Sequence, residues 1–180
     1  GWVRLGMDDR LSVTVTRDKI PVKSVDATYM IRPGVGYIRI GNFGATTHEE
    51  FVNGLNSLRA QGMKSLVLDL QENGGGYMQA AVEVANEFLQ RGDLIVYTEG
   101  RRAGSRRYEA QGNGKIMEGD VVVLIDEYSA SAAEIVTGAI QDNDRGFVVG
   151  RRSFGKGLVQ RPIDLPDGSM IRLTVAHYYT

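Results

Sequence analysis

Two short segments of this 180-residue sequence combine a chemically useful side chain with small neighbours. One is Ser-Ala-Ser-Ala-Ala-Glu at 129–134, which follows an apolar run and is typical of a helix start. There Ser131 gains from the positive potential of the helix N-terminus, and the N–H of Ala132 points towards an oxygen bound beside it. The spacing of Ser131 and Glu134 also fits a capping box. On this segment alone capping is the favoured role, and Ser129 suits it equally.

A serine nucleophile needs a base, and the second segment offers Lys156. Gly155 and Gly157 flank the lysine, so the backbone can pass close to another group. To act as a base, Lys156 must be the neutral amine, which burial favours. The simpler interpretation is a charged lysine at a loop tip. The two histidines, His48 and His177, have no obvious companion and are expected to be surface or structural residues.

Three consecutive glycines at 74–76 directly follow a second apolar run at 65–70. Glycine allows backbone conformations that other residues avoid, so this loop can direct N–H groups at an anion, including a tetrahedral oxyanion. The simpler alternative is a tight turn between a strand and a helix. On the loop alone that alternative is favoured.

Other chemistries have weaker support in the sequence. Residues 150–156 fit the first seven positions of a phosphate-binding loop, but Gly157 stands where that motif needs serine or threonine. The residues that follow look extended, whereas the motif depends on a helix N-terminus. His48 lacks the second histidine of a zinc-protease helix, and the acidic residues show no calcium-loop spacing. We therefore expect no metal and no cofactor.

The composition sets further limits on function. A net charge of -1 gives no support for a nucleic-acid partner. The chain has no cysteine, which excludes disulfides, thiolate metal sites and a cysteine nucleophile. No apolar run approaches the roughly 20 residues of a membrane-spanning helix. We therefore expect no membrane span in this chain.

Strands and helices that alternate along the chain must position these residues. Strands are predicted at 36–40, 65–70, 94–97, 121–125 and 147–149, the second buried on both faces and the fourth buried. Helices are predicted from Thr46 or Thr47 to Gly62, over 80–89 and over 131–142, followed by a hairpin at 158–179 that turns at 166–168. Residues 100–119 are expected to form a loop or hairpin. This order predicts an α/β fold with a largely parallel sheet.

The N-terminal segment, residues 1–28, is polar and rich in β-strand signals. Apolar and polar residues alternate at 11–16, and Pro21 follows soon afterwards. We interpret this segment as a connector or the edge of a neighbouring module, and residues 29–180 as the main domain.

Taken together, the chemical segments resemble the carboxy-terminal processing, or tail-specific, proteases. Residues 68–76 are similar to the family's Asp-Leu-Arg-x-Asn-Pro-Gly-Gly block, with Gln71 and Gly74 in place of its arginine and proline. Residues 129–135 resemble its Ser-Ala-Ser-Ala-Ser-Glu-Ile block, and residues 150–160 resemble the block that holds its lysine.

The resemblance assigns roles to three residues. Lys156 lies 25 residues after Ser131, which is the family's interval between nucleophile and base and selects Ser131 over Ser129. Gln160 matches the glutamine that orients the lysine. The resemblance therefore implies a serine endopeptidase with a Ser/Lys dyad on a crotonase-like α/β core. That core has a largely parallel sheet flanked by helices, with β-rich N-terminal and C-terminal segments.

The resemblance also implies an oxyanion hole, a substrate class and a location. The N–H of Ala132 would act with that of Gly75 or Gly76, and the choice of glycine stays open. Substrates would be proteins or peptides with accessible C-termini, and homo-oligomer formation is left open. Family members carry a PDZ domain before the core, of which only the last strands fit in residues 1–20. They usually act in the bacterial periplasm or cell envelope, or in the chloroplast lumen, so we expect a periplasmic or envelope location.

The main alternative is a non-catalytic peptide- or ligand-binding module on the same fold, as an inactive or autoinhibited fragment. The presence of Ser131, Lys156 and Gln160 favours the enzyme over this alternative.

Overall fold

We analysed a computed structural model of the chain, which describes residue 14 and residues 23–101 and 104–180. The strand predicted at 11–16 lies outside these residues, apart from position 14, and so does most of the segment 1–28.

The helices and strands follow the order expected from the sequence. The helices are α1 (Thr47–Ala60), α2 (Met78–Asn86) and α3 (Ala132–Asp142). The strands are β1 (Val25–Arg32), β2 (Val35–Ile40), β3 (Ser65–Asp69), β4 (Leu94–Gly100), β5 (Gly104–Glu109), β6 (Val121–Ile125), β7 (Phe147–Gly150), β8 (Leu158–Asp164) and β9 (Met170–Tyr179). Every helix predicted from the sequence is present, although α2 begins and ends earlier than predicted.

A five-stranded sheet in the order β1-β2-β3-β6-β7 forms the centre of the fold. The neighbours β2, β3, β6 and β7 are parallel, and only β1 is antiparallel to its partner. This confirms the largely parallel sheet. The sequence did not predict β1, which runs across position 28 and joins residues 25–28 to the core by strand pairing.

The helices pack on one face of this sheet, because right-handed crossovers that advance in one direction place every helix on the same side. On that face Ile38, Leu66, Leu68 and Val123 are fully or almost fully buried and form one core with the helices. The opposite face is only half-buried at Val67, Val122 and Leu124. The prediction that β3 is buried on both faces is therefore wrong, and the predicted burial of β6 holds for one face only.

A second sheet, in the order β5-β4-β9-β8, is antiparallel throughout. Strands β8 and β9 form the predicted hairpin, and the N–H of Leu165 donates to the carbonyl of Ser169 across the predicted turn. β9 pairs with β4, so the hairpin is attached to the body of the protein and its far end projects from it.

Candidate active site

The candidate residues from separate parts of the sequence meet at one cavity of about 690 Å³. It lies between the glycine loop after β3, the N-terminus of α3 and the β8–β9 hairpin. Its wall contains every residue to which the family resemblance assigns a role, namely Ser131, Lys156, Gln160, Ala132, Gly75 and Gly76.

Ser131 is the N-cap residue of α3 and faces the cavity. Its backbone has φ 57° and ψ -115°, an uncommon conformation for a residue with a side chain, which persists only where the surroundings impose it. The N–H of Ser131 donates to Glu134 Oε2 at 2.7 Å, which is the glutamate half of the predicted capping box, and the N–H of Glu134 donates to the carbonyl of Ser131 at 2.9 Å. Capping and exposure to the cavity are therefore compatible in the same serine.

Ser129 has a structural role instead. Its side chain is fully buried, and its hydroxyl donates to the carbonyl of Leu70 at 2.8 Å. The same oxygen accepts the N–H of Asp126 at 2.9 Å, so it joins the ends of β3 and β6. This geometry favours Ser131 over Ser129 as the nucleophile, on grounds independent of the family's residue interval.

The glycine loop touches the serine through Gly75, which has φ +94°. A β-carbon at Gly75 would lie 2.7 Å from Ser131 Cβ and 2.9 Å from the nitrogen of Ala132, so this close approach requires glycine. The fully buried Asn73 anchors the loop. Its Nδ2 donates to the carbonyl of Ile40 at 2.7 Å, and its Oδ1 accepts the N–H of Gly75 at 2.8 Å.

The backbone N–H groups near Ser131 differ in whether they already have an acceptor. The N–H of Gly75 donates to the Asn73 side chain. The N–H groups of Gly76 and Ala132 donate to no acceptor within the part of the chain that the structure describes. Both residues line the cavity, where an oxygen of a bound molecule can accept their hydrogen bonds.

Glu134 connects the serine segment to the lysine segment. Besides the N–H of Ser131, its Oε2 accepts the N–H of Lys156 at 2.9 Å. Its Oε1 accepts the N–H of Gly155 at 2.6 Å and the hydroxyl of Ser153 at 2.8 Å. The sequence indicated Glu134 only as a cap, because nothing in the spacing shows that a loop some twenty residues later uses the same carboxylate.

The side chains of Ser131, Lys156 and Gln160 line the same cavity without bonding to one another. Across residues 23–101 and 104–180, no hydrogen bond joins the Lys156 amine to the Ser131 hydroxyl or to the Gln160 amide. Gln160 stands on β8 opposite Thr174. Catalytic hydrogen bonds often tighten only when substrate binds, so this arrangement is compatible with a dyad.

Tyr178 is a further candidate that the sequence did not reveal. Its hydroxyl donates to the carbonyl of Lys156, and its N–H donates to the carbonyl of Gly157 at 3.0 Å. Burial and then the charge of Glu134 raise the pKa of Tyr178, against a smaller opposing effect of the Ser131 hydroxyl. The phenol therefore stays neutral, bonded to the lysine segment and lining the cavity together with Ser131. A tyrosine in a strand carries no sequence signal for such a contact.

Asp126, directly after β6, organises the turn that leads to the serine. Burial acts to raise the pKa of Asp126, but the N–H groups of Glu72, Tyr128 and Ser129 outweigh it and the pKa is lowered. The Glu72 bond, at 3.0 Å, links this turn to the loop after β3. The carboxylate thus holds the two strand ends in register.

The histidines and the phosphate-loop motif lie apart from this chemistry. His48 Nε2 is 2.8 Å from Glu87 Oε1, and His177 stacks near Tyr179 on β9, as expected of structural or surface residues. The residues after Gly157 form strand β8, not a helix, and the N–H of Lys156 faces a carboxylate. A phosphate-binding loop does not fit this geometry.

Two further findings concern metals and membranes. The described residues contain no cluster of three or more histidine, aspartate or glutamate side chains that could hold a metal ion. None of the helices described is both long enough and apolar enough to cross a bilayer.

The fold and the cavity define an α/β protein with a crotonase-like core. The model of peptidase family S41 matches residues 34–180, and the chain belongs to this family. Among solved structures, the photosystem II D1 C-terminal processing protease has a TM-score of 0.77 and 37% identity, covering 92% of this chain and 46% of that one.

Two curated relatives show the same similarity in sequence. A carboxyl-terminal-processing protease of Picosynechococcus sp. is 42% identical over 171 residues, which cover 94% of this chain and 41% of that protein. A chloroplastic C-terminal processing peptidase of Tetradesmus obliquus is 37% identical over 182 residues, covering 94% of this chain and 39% of that protein. The resemblance seen in the motifs is confirmed. The chain spans about two fifths of the length of these relatives.

Proposed function

We propose that this chain is the catalytic core of a serine endopeptidase that cleaves proteins near their C-termini. The observation that carries the proposal is the convergence of Ser131, Lys156 and two available N–H groups on one cavity. Family membership and the names of the relatives support the reaction and the substrate class.

The mechanism is acyl transfer to serine. The neutral amine of Lys156 takes the proton of the Ser131 hydroxyl while Oγ attacks the peptide carbonyl, and Gln160 orients the amine. The Lys156 ammonium then protonates the leaving amine, which leaves an acyl-enzyme. Water, activated by the same amine, hydrolyses the ester and restores Ser131. Since only the neutral amine accepts the proton, activity should rise towards alkaline pH.

The oxyanion is stabilised by the N–H groups of Ala132 and Gly76. The N–H of Gly75 already donates to Asn73, which supports Gly76 over Gly75 as the second donor. Gly75 instead provides the close contact that brings the loop against Ser131. Loss of one oxyanion donor typically raises the barrier by about 2.7–4 kcal/mol.

The dyad is tested with an unstructured polypeptide as substrate. Ser131→Ala and Lys156→Ala should each abolish cleavage, whereas Lys64→Ala removes an exposed lysine and should leave it unchanged. Cleavage at the parental rate by both the serine and the lysine variants would exclude the dyad.

The alternative is a non-catalytic binding module, and one observation favours it. No hydrogen bond joins Ser131 to Lys156 in the described residues. A fluorophosphonate probe separates the two functions, because it reacts covalently only with an activated serine. Labelling that is lost in Ser131→Ala supports the enzyme, and binding of peptides without labelling or cleavage supports the module.

The relatives also support proposals on organisation and location. The sequence placed the boundary of the catalytic core between residues 28 and 29, but β1 crosses that position, so the core that we propose begins with β1 at Val25. The residues before it form a connector or the remnant of a preceding PDZ module. The protein acts in the bacterial periplasm or cell envelope on proteins with accessible C-termini, as its bacterial and chloroplastic relatives suggest. Cell fractionation tests the location, and recovery of the protein in the cytoplasm alone would contradict it.

A further inference from the structure

One face of the β8–β9 hairpin forms a wall of the cavity. Gln160 and Pro162 of β8 and Met170 and Arg172 of β9 line it. Side chains alternate between the two faces of a strand, and Pro162 pairs directly with Arg172, so these four side chains share one face. Arg161 belongs to the opposite face and does not line the cavity.

The charged residues that line this cavity are all cationic. Lys156 and Arg172 are its cationic lining residues, and no aspartate or glutamate lines it. The exposed guanidinium of Arg172 forms no ion pair within the part of the chain that the structure describes. If Lys156 works as a neutral base, Arg172 is the permanent positive charge of the cavity.

The position of Arg172 along the hairpin sets its distance from the residues that are proposed to cleave the substrate. It lies two positions before Thr174, the partner of Gln160, which amounts to about 7 Å of strand. It lies six positions before Tyr178, which lines the cavity together with Ser131, and this amounts to about 20 Å. An extended substrate covers these distances with roughly two to six residues, at about 3.3 Å per residue.

We propose that Arg172 forms a carboxylate-binding subsite, which selects substrates with a carboxylate roughly two to six residues from the scissile bond. A guanidinium binds a carboxylate with two parallel hydrogen bonds. Its neighbours Pro162 and Met170 are apolar, and Asp164, which pairs with Met170 on the same face, forms no ion pair with it among the described residues. The carboxylate is either the C-terminus of the substrate or an aspartate or glutamate side chain. This subsite rests on the proposed function, since it names the substrate class of the same cavity.

Binding, measured without cleavage, tests the subsite. The Ser131→Ala protein is titrated into fluorescein-labelled peptides of about ten residues, long enough in extended form to span the cavity and the hairpin wall. The peptides are built from alanine, valine and serine and end in a free carboxylate or an amide. A second pair is amidated and carries aspartate or asparagine at successive positions. Fluorescence anisotropy gives the dissociation constants of the Ser131→Ala protein and of the same protein with Arg172→Glu or Arg161→Glu added.

We expect removal of the favoured carboxylate to weaken binding about three- to fivefold, as for one exposed ion pair, and more at low salt. Arg172→Glu should abolish or reverse the preference, and Arg161→Glu, which alters the charge of the same hairpin equally, should retain it. The free-acid and aspartate series show which source of carboxylate is bound. Equal affinity for charged and neutral peptides, absence of binding, or the same loss in Arg161→Glu overturns the subsite. Absence of cleavage by the parent, with the preference retained, would contradict only the proposed function.

Discussion

At the scale of single residues, the carboxylate of Glu134 holds the candidate site together. It accepts four hydrogen bonds, from Ser131 on one side and from Ser153, Gly155 and Lys156 on the other. Three of these donors are backbone N–H groups, so the bonds fix the path of the chain and not only side-chain positions. The relative placement of Ser131 and Lys156 therefore depends on an anion that need not touch the substrate.

The first prediction concerns replacement of this anion by an amide. Glu134→Gln keeps the size of the side chain, but its NH₂ group replaces an oxygen that accepts two hydrogen bonds. The two donors then have no acceptor, which costs about 1–3 kcal/mol for each buried donor. We expect the turnover number to fall at least about tenfold and the unfolding temperature to fall. Glu127→Gln, which loses a surface ion pair with Arg151, is the control and should change both by little. Parental activity in Glu134→Gln would show that the carboxylate does not position the dyad.

The second prediction concerns the hydroxyl of Tyr178. Tyr178→Phe keeps the ring but removes the hydrogen bond to the carbonyl of Lys156, which is worth about 0.5–1.5 kcal/mol. We expect kcat and the rate of fluorophosphonate labelling to fall about two- to tenfold, with KM nearly unchanged. Tyr179→Phe, at the neighbouring exposed position, should leave both rates intact. A change in KM alone would contradict a role in positioning the reactive groups.

At the scale of elements, the loop between β3 and α2 works because its middle glycine fits against the start of α3. Gly75→Ala would place a β-carbon 2.7 Å from both Ser131 Cβ and the carbonyl oxygen of Ala130, at a φ that alanine rarely adopts. Gly74→Ala is the matched control, since a β-carbon there meets nothing within 4 Å. We expect Gly75→Ala to reduce activity about a hundredfold by displacing the serine, and Gly74→Ala to be tolerated. Similar activity of the two variants in the same peptide assay would contradict this view of the loop.

The elements that the sequence predicted well are those with strong local patterns. Strands β3 and β6 were predicted from the apolar runs at 65–70 and 121–125. Helix α1 was predicted from the helical spacing of Phe51, Leu55 and Leu58. Strand β1 was missed because it is an edge strand with most positions exposed, so it lacks a clear alternation. Burial on both faces was wrongly predicted because a strand's composition does not show on which side the crossover helices will pack.

The site itself was predictable only in part. Ser131, Lys156 and the glycine loop have local signals, and the motifs place them in one family. The partners of these residues, Glu134 and Tyr178, act through contacts between segments that are distant along the chain, which no local spacing encodes. Motifs thus indicate which groups react, and the tertiary structure indicates which groups hold them.

At the scale of the whole molecule, two half-buried, hydrogen-bonded carboxylates make the stability of the protein depend on pH in the acid range. The pKa of Asp126 is lowered, because N–H donors from Glu72, Tyr128 and Ser129 outweigh the opposing effect of burial. The pKa of Glu50 is lowered too. Burial acts to raise it, but hydrogen bonds from the Thr46 hydroxyl and from the N–H groups of Val25 and Ser24 outweigh burial. These bonds link β1 to α1 and the loop after β3 to the turn after β6.

The last prediction follows from the sign of these shifts. A folded-state pKa below the unfolded values of 3.8 for Asp126 and 4.5 for Glu50 stabilises the protein above those values. That stabilisation is lost as the pH falls through the lower folded-state pKa. We expect the free energy of unfolding, measured by urea denaturation, to change little from pH 7 to about 5 and to fall steeply below about 4. Asp126→Asn should be less stable at pH 7 and should show a shallower fall in acid, because the group whose protonation drives part of that fall is absent. An acid slope equal to that of the parent would show that Asp126 is not one of the groups whose protonation unfolds the protein.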